Sequence, residues 1–430
     1  MDFLSTILRP FAHVPRMTGF EDTVARMLEP EYVIIPLEYP GQVLYKPLVK
    51  AGTKVRKNQI IGKSALGNCV HASVSGTVRE IKPIWTARSF NVPAVVIDRN
   101  DEPAWTMDDL FEQYGVQYQS ATRLQRLKAA GVVSPWTLPG RFHQEEDVGD
   151  FPDVQHIIIK GVNEEPSVFI FEILLQRQAE KVLKGLNRLG NLAPKAQKWL
   201  TVPRRLESWA KKLFGSQLKV VVLSDEYKDR IERLVVPKIT GIDVPNTEPY
   251  RKKGIAVVSA EYLLSMVDAL DGVGPFVTKH LTVSSGDGQA PVTVAFPVGT
   301  TIKSVLAGVG TNGNSYGRIV VGGPMKGNAQ FTDETPLTKS SHGIYLVPRE
   351  AIPEEVNLTC INCGRCTRAC PVRLQVHLIG RYVEHGLLAE SKTFHPEACN
   401  ACGLCTYVCP AHRPLVQLIK MSIQYDRIEL

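Results

Sequence analysis

The sequence predicts a multidomain α/β and β chain that closes in a mainly helical, cysteine-rich unit, and three observations predict it. The first hundred residues carry short apolar runs bounded by Pro, Gly or Asp, which is how small packed strands are written. The middle of the chain alternates apolar runs of buried-strand length with helical stretches, the pattern of an open sheet covered by helices. Eight of the nine cysteines gather near the C-terminus. With 430 residues, 44% of them hydrophobic, the chain can bury several cores, and at about 150 residues per unit it divides into about three or four.

Residues 1–105 form the first expected unit. Val33-Ile34-Ile35-Pro36, Val43-Leu44-Tyr45 and Ala94-Val95-Val96-Ile97 read as strands. The run from Leu48 to Gly62, followed by His71 to Val78, resembles the barrel-sandwich half-motif of biotinyl and lipoyl domains, in which glycines turn the hairpins and valines fill a small barrel. No Met-Lys-Met or Asp-Lys-Ala hairpin tip occurs, so the module reads as structural rather than as a swinging-arm carrier.

Residues 106–274 read as the α/β core. His156–Gly161, Leu218–Ser224 and Gly254–Ser259 are the candidate buried strands, with helices over Phe171–Leu189 and Ala260–Leu270. In residues 275–348, Phe276–Ser284 and Pro291–Pro297 alternate with period two around a turn at Gly286-Asp287-Gly288. A helix over Ile302–Ala307 and a further strand before Gly322-Gly323-Pro324-Met325-Lys326-Gly327 then suggest a β-grasp unit.

Residues 349–430 hold two copies of one pattern, Cys360-x2-Cys363-x2-Cys366-x3-Cys370-Pro371 and Cys399-x2-Cys402-x2-Cys405-x3-Cys409-Pro410. This is the ligand arithmetic of two [4Fe-4S] clusters: three close cysteines hold one face of a core, and the fourth comes from the other motif's Cys-Pro. Cys360, Cys363, Cys366 and Cys409 are therefore expected at one cluster, and Cys399, Cys402, Cys405 and Cys370 at the other. Gly364 and Gly403 stand where the backbone turns tightly around the core. Zinc, the rival metal, usually takes ligands grouped in pairs and has no use for a third evenly spaced cysteine followed by Cys-Pro. The remaining Cys69 reads as a small buried hydrophobe, with a reactive thiol as the alternative. With no disulfide framework, a reducing, cytoplasmic setting is expected.

The formal charge of +7 is uneven. Residues 177–219 contain eleven Lys or Arg against Glu180 and Glu207, leaving the rest slightly acidic. Within this stretch Leu206, Trp209, Ala210, Leu213 and Phe214 share one helical face, opposite Arg204, Arg205, Lys211 and Lys212. Pro203 is placed to open the helix. Residues 204–214 suit either an anionic membrane surface or partner, or an ordinary core stripe with a solvated basic face. Nucleic acid is not expected, because no binding motif accompanies the charge. No apolar run reaches membrane-span length, and residues 1–11 lack the features of a leader peptide.

In the order of its parts, the chain resembles the C subunit of the Rnf electron-transport complex: the barrel-sandwich segment, the α/β core, Val321–Gly327 with Thr335-Pro336-Leu337-Thr338-Lys339, then the twin cysteine motifs. In that family the core is similar to the flavin- and NADH-binding subunit of respiratory complex I. The resemblance implies an iron–sulfur electron-transfer subunit of a membrane-associated redox complex, cytoplasmic and peripheral on the inner face of the cell membrane. Its implied partners are other subunits and a flavoprotein or ferredoxin-like donor or acceptor.

The chain departs from the family where flavin (FMN) and NADH would sit. The family's glycine-rich phosphate loop corresponds to residues 129–140, where Pro135, Trp136 and Pro139 supply bulk and remove N–H donors. The flavin-contacting Asn-Gly-x-x-x-Glu-Pro run appears as Lys160-Gly161-Val162-Asn163-Glu164-Glu165-Pro166, followed by Phe169, Ile170 and Phe171. A retained fold with a filled or altered cofactor pocket is expected, without NADH oxidation and with no catalytic residue assigned. The alternatives are an NADH dehydrogenase subunit with bound FMN, and a scaffold whose clusters are structural.

Overall fold

The computed structural model describes residues 24–39, 43–87, 89–132, 153–354 and 358–424. Near the N-terminus two small antiparallel sheets face each other. One is ordered Tyr32–Pro36, Val92–Arg99, Gly76–Ile84, Lys54–Val55; the other is ordered Lys46–Pro47, Ile60–Lys63, Cys69–His71. Val33, Ile35, Val55, Ile61, Val78, Val95 and Ile97 fill the space between them. Gly76 is required here, since a Cβ would lie 1.9 Å from the Asp98 carbonyl oxygen.

The core is a four-stranded parallel sheet ordered Lys219–Leu223, Gln197–Pro203, His156–Lys160, Ile255–Ser259. The second of these strands is absent from the sequence reading. It lies inside the basic stretch, where Gln197 and Lys198 hide the buried Leu200, Thr201 and Val202. The single helix expected over Phe171–Leu189 is instead two, Ile170–Arg177 and Ala179–Leu192, broken at Gln178 (φ −121°, ψ 36°). The break lets both segments place leucines on the sheet, with Leu174, Leu175, Leu186 and Leu189 all in one core.

Pro203 ends a strand rather than opening a helix; a 3-10 turn at Arg204–Leu206 precedes the helix Glu207–Phe214. Leu206, Ala210 and Phe214 are buried in the core of the parallel sheet, with Trp209 and Leu213 packed against it. The apolar stripe is therefore spent on the protein's own interior and is not available for insertion into lipid. All four residues of the basic arc are exposed; Arg205 pairs with the buried Glu172, and Lys211 pairs with Glu207 on its own helix (2.6 Å).

Next to the core stands a six-stranded mixed sheet ordered Val24–Met27, Val292–Pro297, Thr278–Ser285, Gly343–Val347, Arg318–Val321, Asn328–Gln330. Its first strand comes from the N-terminal segment and pairs in parallel with Val292–Pro297, crossing the division expected at residue 105. The helix Ile302–Gly308, capped by the Thr301 side chain accepting from the Ser304 N–H, lays Ile302, Val305 and Leu306 on this sheet.

The C-terminal unit is helical. Val376–Glu384 packs against Leu415–Gln424, and the short helices Arg365–Ala369 and Leu404–Tyr407 each follow one cysteine loop. No helix among the described residues is long and apolar enough to cross a membrane.

Candidate metal centre

Two cavities carry the cysteines. Cys360, Cys363, Cys366 and Cys409 line one of about 350 Å³, and Cys370, Cys399, Cys402 and Cys405 line one of about 300 Å³, each volume including the space at its mouth. In both, three cysteines of one motif meet the fourth of the other. The two loops repeat the same backbone: Asn362 and Ala401, Gly364 and Gly403, and Arg373 and His412 all adopt positive φ, between +47° and +83°. Four of these six are not glycine, so each loop holds conformations that cost about 1–3 kcal/mol per residue and that cluster at functional sites. Only the glycines were legible in the sequence.

The remaining geometry suits a multi-iron core. Burial pushes the Cys402 thiol up to about 11 and the Cys405 and Cys366 thiols upward as well, with backbone N–H groups of Leu404, Thr406 and Thr367 opposing the rise. A metal reverses that balance, because a coordinated thiol gives up its proton. The Leu374 N–H donates to Cys370 Sγ (3.4 Å) and the Ala401 N–H to Cys399 Sγ (3.3 Å). Two buried donors among the cavity walls, Arg413 Nη1 and Asn400 Nδ2, lack a hydrogen-bond partner. Among the described residues no three His, Cys, Asp or Glu side chains converge as on a single ion. Thiolates spaced around a cavity are what a larger inorganic core requires.

The two cavities differ in cover. The one with Cys399, Cys402 and Cys405 is closed in by the rest of the chain: the Tyr227 hydroxyl donates to the Cys402 carbonyl (2.7 Å), and Asn246 Nδ2 donates to the Ala398 carbonyl (2.7 Å) and Asn400 Oδ1 (2.7 Å). A Cβ at Gly403 would lie 2.2 Å from the Met325 carbonyl oxygen, so this loop needs glycine for contact as well as for φ. Tyr227 and Asn246 carry no motif signal, and sequence reasoning missed both. The other cavity faces outward, with Cys363 exposed and Ile361 62% exposed. Arg368 Nη2 braces its loop by donating to the Cys363 carbonyl (3.1 Å). We call these the inner and outer sites.

The segment expected to touch flavin lies at the carboxyl ends of the parallel strands, where open α/β sheets bind ligands. There the side chains pair with one another. Lys160 Nζ lies between Glu232 (2.5 Å) and Glu164 (3.1 Å), and Lys326 Nζ reaches Glu164 (2.8 Å). Burial raises the Glu164 pKa, but Lys326 and Lys160 outweigh it and hold the carboxyl down to about 2. Glu165 accepts the backbone N–H groups of Met325 (3.0 Å) and Lys326 (2.6 Å), yet burial pushes it up to about 7. Asn163 Oδ1 accepts the Phe171 N–H (2.9 Å), and Phe169, Ile170 and Phe171 are buried. Beside them Glu172, wholly buried, pairs with Arg205, with Arg230 Nη1 3.8 Å away.

Residues 133–140 of the expected phosphate-loop segment lie outside the described residues. Of the part described, Ala129, Ala130 and Val132 are buried, and the Gly131 carbonyl accepts Lys339 Nζ (2.7 Å). Cys69 is buried and its thiol is pushed up to about 12, mainly by desolvation.

Residues 14–102 match the family described as the RnfC barrel sandwich hybrid domain, and residues 359–412 match the 4Fe-4S dicluster domain. The chain resembles the C subunit of a proton-translocating ferredoxin:NAD(+) oxidoreductase complex of Clostridium ljungdahlii, with 25% identity over 84% of this chain and 81% of the relative. It also resembles the C subunit of a Na(+)-translocating ferredoxin:NAD(+) oxidoreductase complex of Acetobacterium woodii, with 27% identity over 84% of this chain and 83% of the relative. The C subunit of an ion-translocating oxidoreductase complex of Methanosarcina acetivorans is 24% identical over 95% of both chains. The resemblance to Rnf C subunits thus spans most of the molecule.

Proposed function

We propose that this protein is an iron–sulfur electron-transfer subunit of a membrane-associated redox complex, with Cys360, Cys363, Cys366 and Cys409 holding one [4Fe-4S] core and Cys399, Cys402, Cys405 and Cys370 the other. The observation that carries this reading is the crossed grouping of the eight cysteines in two adjacent cavities. When bound, the two cores supply reversible one-electron chemistry. The protein's own groups fix the sulfur positions, donate to sulfur and control exposure. Tyr227, Asn246 and Gly403 seat the inner loop on the body of the chain, while the outer loop is open for exchange with a partner.

The reading extends to the core. Lys160, Glu164, Glu232 and Lys326 satisfy one another where a flavin phosphate and ring would need free donors and space. FMN is therefore not a resident group, and a separate flavoprotein or ferredoxin-like protein supplies or takes the electrons. Other subunits of the complex hold the protein at the inner face of the cell membrane, where Arg204, Lys211 and Lys212 add attraction to anionic lipid through charge alone.

Anaerobic mixing of the purified holoprotein with NADH, together with its flavin content, tests the core. We expect substoichiometric flavin and no bleaching of the cluster absorbance until a protein donor is added. Stoichiometric FMN and rapid bleaching by NADH would establish an NADH dehydrogenase subunit instead.

A further inference from the structure

The two cysteine loops repeat one backbone, yet the polar groups that look into their cavities differ. Arg413 follows the left-handed residue His412 and folds back against the outer site. It is 2% exposed and lines the cavity with Cys360, Cys363, Cys366 and Cys409. Its Nη2 is committed to the Glu384 carboxylate, whereas Nη1 is buried without a partner. An unpaired buried donor is costly, and more so when charged, so its position calls for an acceptor within the cavity.

The inner cavity has a neutral counterpart. Asn400 lines it, with Oδ1 held by Asn246 (2.7 Å) and Nδ2 buried without a partner. Among the described residues, no charged side chain lines that cavity. The outer site thus combines the buried Arg413 cation, with the half-buried Arg365 and His377 in the same lining, and an exposed mouth, while the inner site combines an amide with a better-covered one. Both differences act in the same direction, since hydrogen bonding, local charge and exposure set the potential of such centres.

We propose that Arg413 Nη1 and Asn400 Nδ2 donate to sulfur of the iron–sulfur core in their own cavities, and that the Arg413 charge gives the outer site the higher reduction potential. Reduction of either site adds one electron, drawn from the donor protein, and with it one negative charge. A guanidinium facing sulfur stabilises that charge more than an amide does. Electron movement from the inner site to the outer one then runs downhill. The inference rests on the reading that both cavities hold [4Fe-4S] cores, and Arg413 acts as a positioning and tuning residue.

Potentiometric titration of the holoprotein, followed by electron paramagnetic resonance, reads both potentials, and a Cys370→Ser variant identifies the inner site's signal. Arg413→Met is expected to lower the outer potential and leave the inner one in place. Arg413→Lys keeps a cation and should give an intermediate value. Glu384→Gln frees the guanidinium from its carboxylate and should raise the outer potential. Asn400→Leu should lower the inner potential alone, and by less.

The inference is overturned if Arg413→Met leaves both potentials unchanged with iron and sulfide retained, or if its effect falls on the inner signal. Should Arg413→Met lose iron, the opposed directions of Glu384→Gln and Arg413→Lys decide, and a downward or absent shift in Glu384→Gln refutes it. Absence of two cluster signals from the unmodified protein would instead contradict the parent reading.

Discussion

The Tyr227 hydroxyl donates a 2.7 Å hydrogen bond to the carbonyl of Cys402, joining the α/β core to the loop of the inner site. Tyr227 is buried, and burial raises its pKa first of all, with Glu165 and Cys402 adding to the rise, so the phenol stays a donor. Removing it leaves a buried carbonyl unpaired, at a cost of about 1–3 kcal/mol. Tyr227→Phe should therefore lower the unfolding midpoint of the holoprotein and speed release of iron from the inner site to a chelator. An unchanged rate would show that the core does not support that loop.

The crossed grouping predicts an unusual pattern of damage. Cys370→Ser should disturb the same site as Cys399→Ser, although the two residues belong to different motifs, and Cys409→Ser should disturb the site of Cys360. Iron and sulfide content with cluster spectra of each variant checks this. Damage confined to the motif that carries the substitution would contradict it.

A buried ion pair ties the core helix Ala260–Asp271 to the strand Thr278–Ser285: Lys279 and Glu261 pair with almost no exposure, and the His280 N–H donates to Glu261 (3.2 Å). Burial raises the Glu261 pKa, but Lys279 first and then the His280 side chain, with His342 adding to them, overcome this and hold it at about 2, against an ordinary 4.5. The folded-state value lies below the unfolded one, so the stabilisation is present above pH 4.5 and is lost as pH falls toward 2. Glu261→Gln should cost about 3–5 kcal/mol near neutral pH by stranding the Lys279 charge. It should also flatten the acid limb of a denaturant-stability profile; an unchanged slope in that window would exclude Glu261 as its source.

Because the Trp209 and Phe214 face is packed on the core, only charge remains to draw the basic helix to a bilayer. Reversing Arg204, Lys211 and Lys212 to Glu should reduce binding to anionic vesicles by more than tenfold at low salt, at about 1 kcal/mol per basic residue. High salt should abolish the difference. Arg205 is left in place because it pairs with Glu172. Equal binding by the variant would assign membrane association wholly to partner subunits.

The sequence announced the cysteine sites because their ligand spacing is a covalent constraint, readable without a fold. The strands around Ile158 and Val257 were equally legible as continuous apolar runs. The strand Gln197–Pro203 was not, since its charged and polar residues masked a buried Leu200 and Val202. The break at Gln178 left no Pro or Gly as a marker, being set by packing of two helices on one sheet. Likewise Tyr227, Asn246, Asn400 and Arg413 gain their meaning from contacts 154 and 175 residues apart in the chain or from an unpaired buried atom, and neither leaves a local pattern.

Reductive titration of the anaerobically purified holoprotein, with iron and sulfide measured on the same sample, tests the central claim most directly. The account predicts about eight iron and about eight sulfide per chain, and uptake of two electrons in two reversible one-electron steps. Zinc in place of iron, or iron that takes up no electrons reversibly, would contradict it.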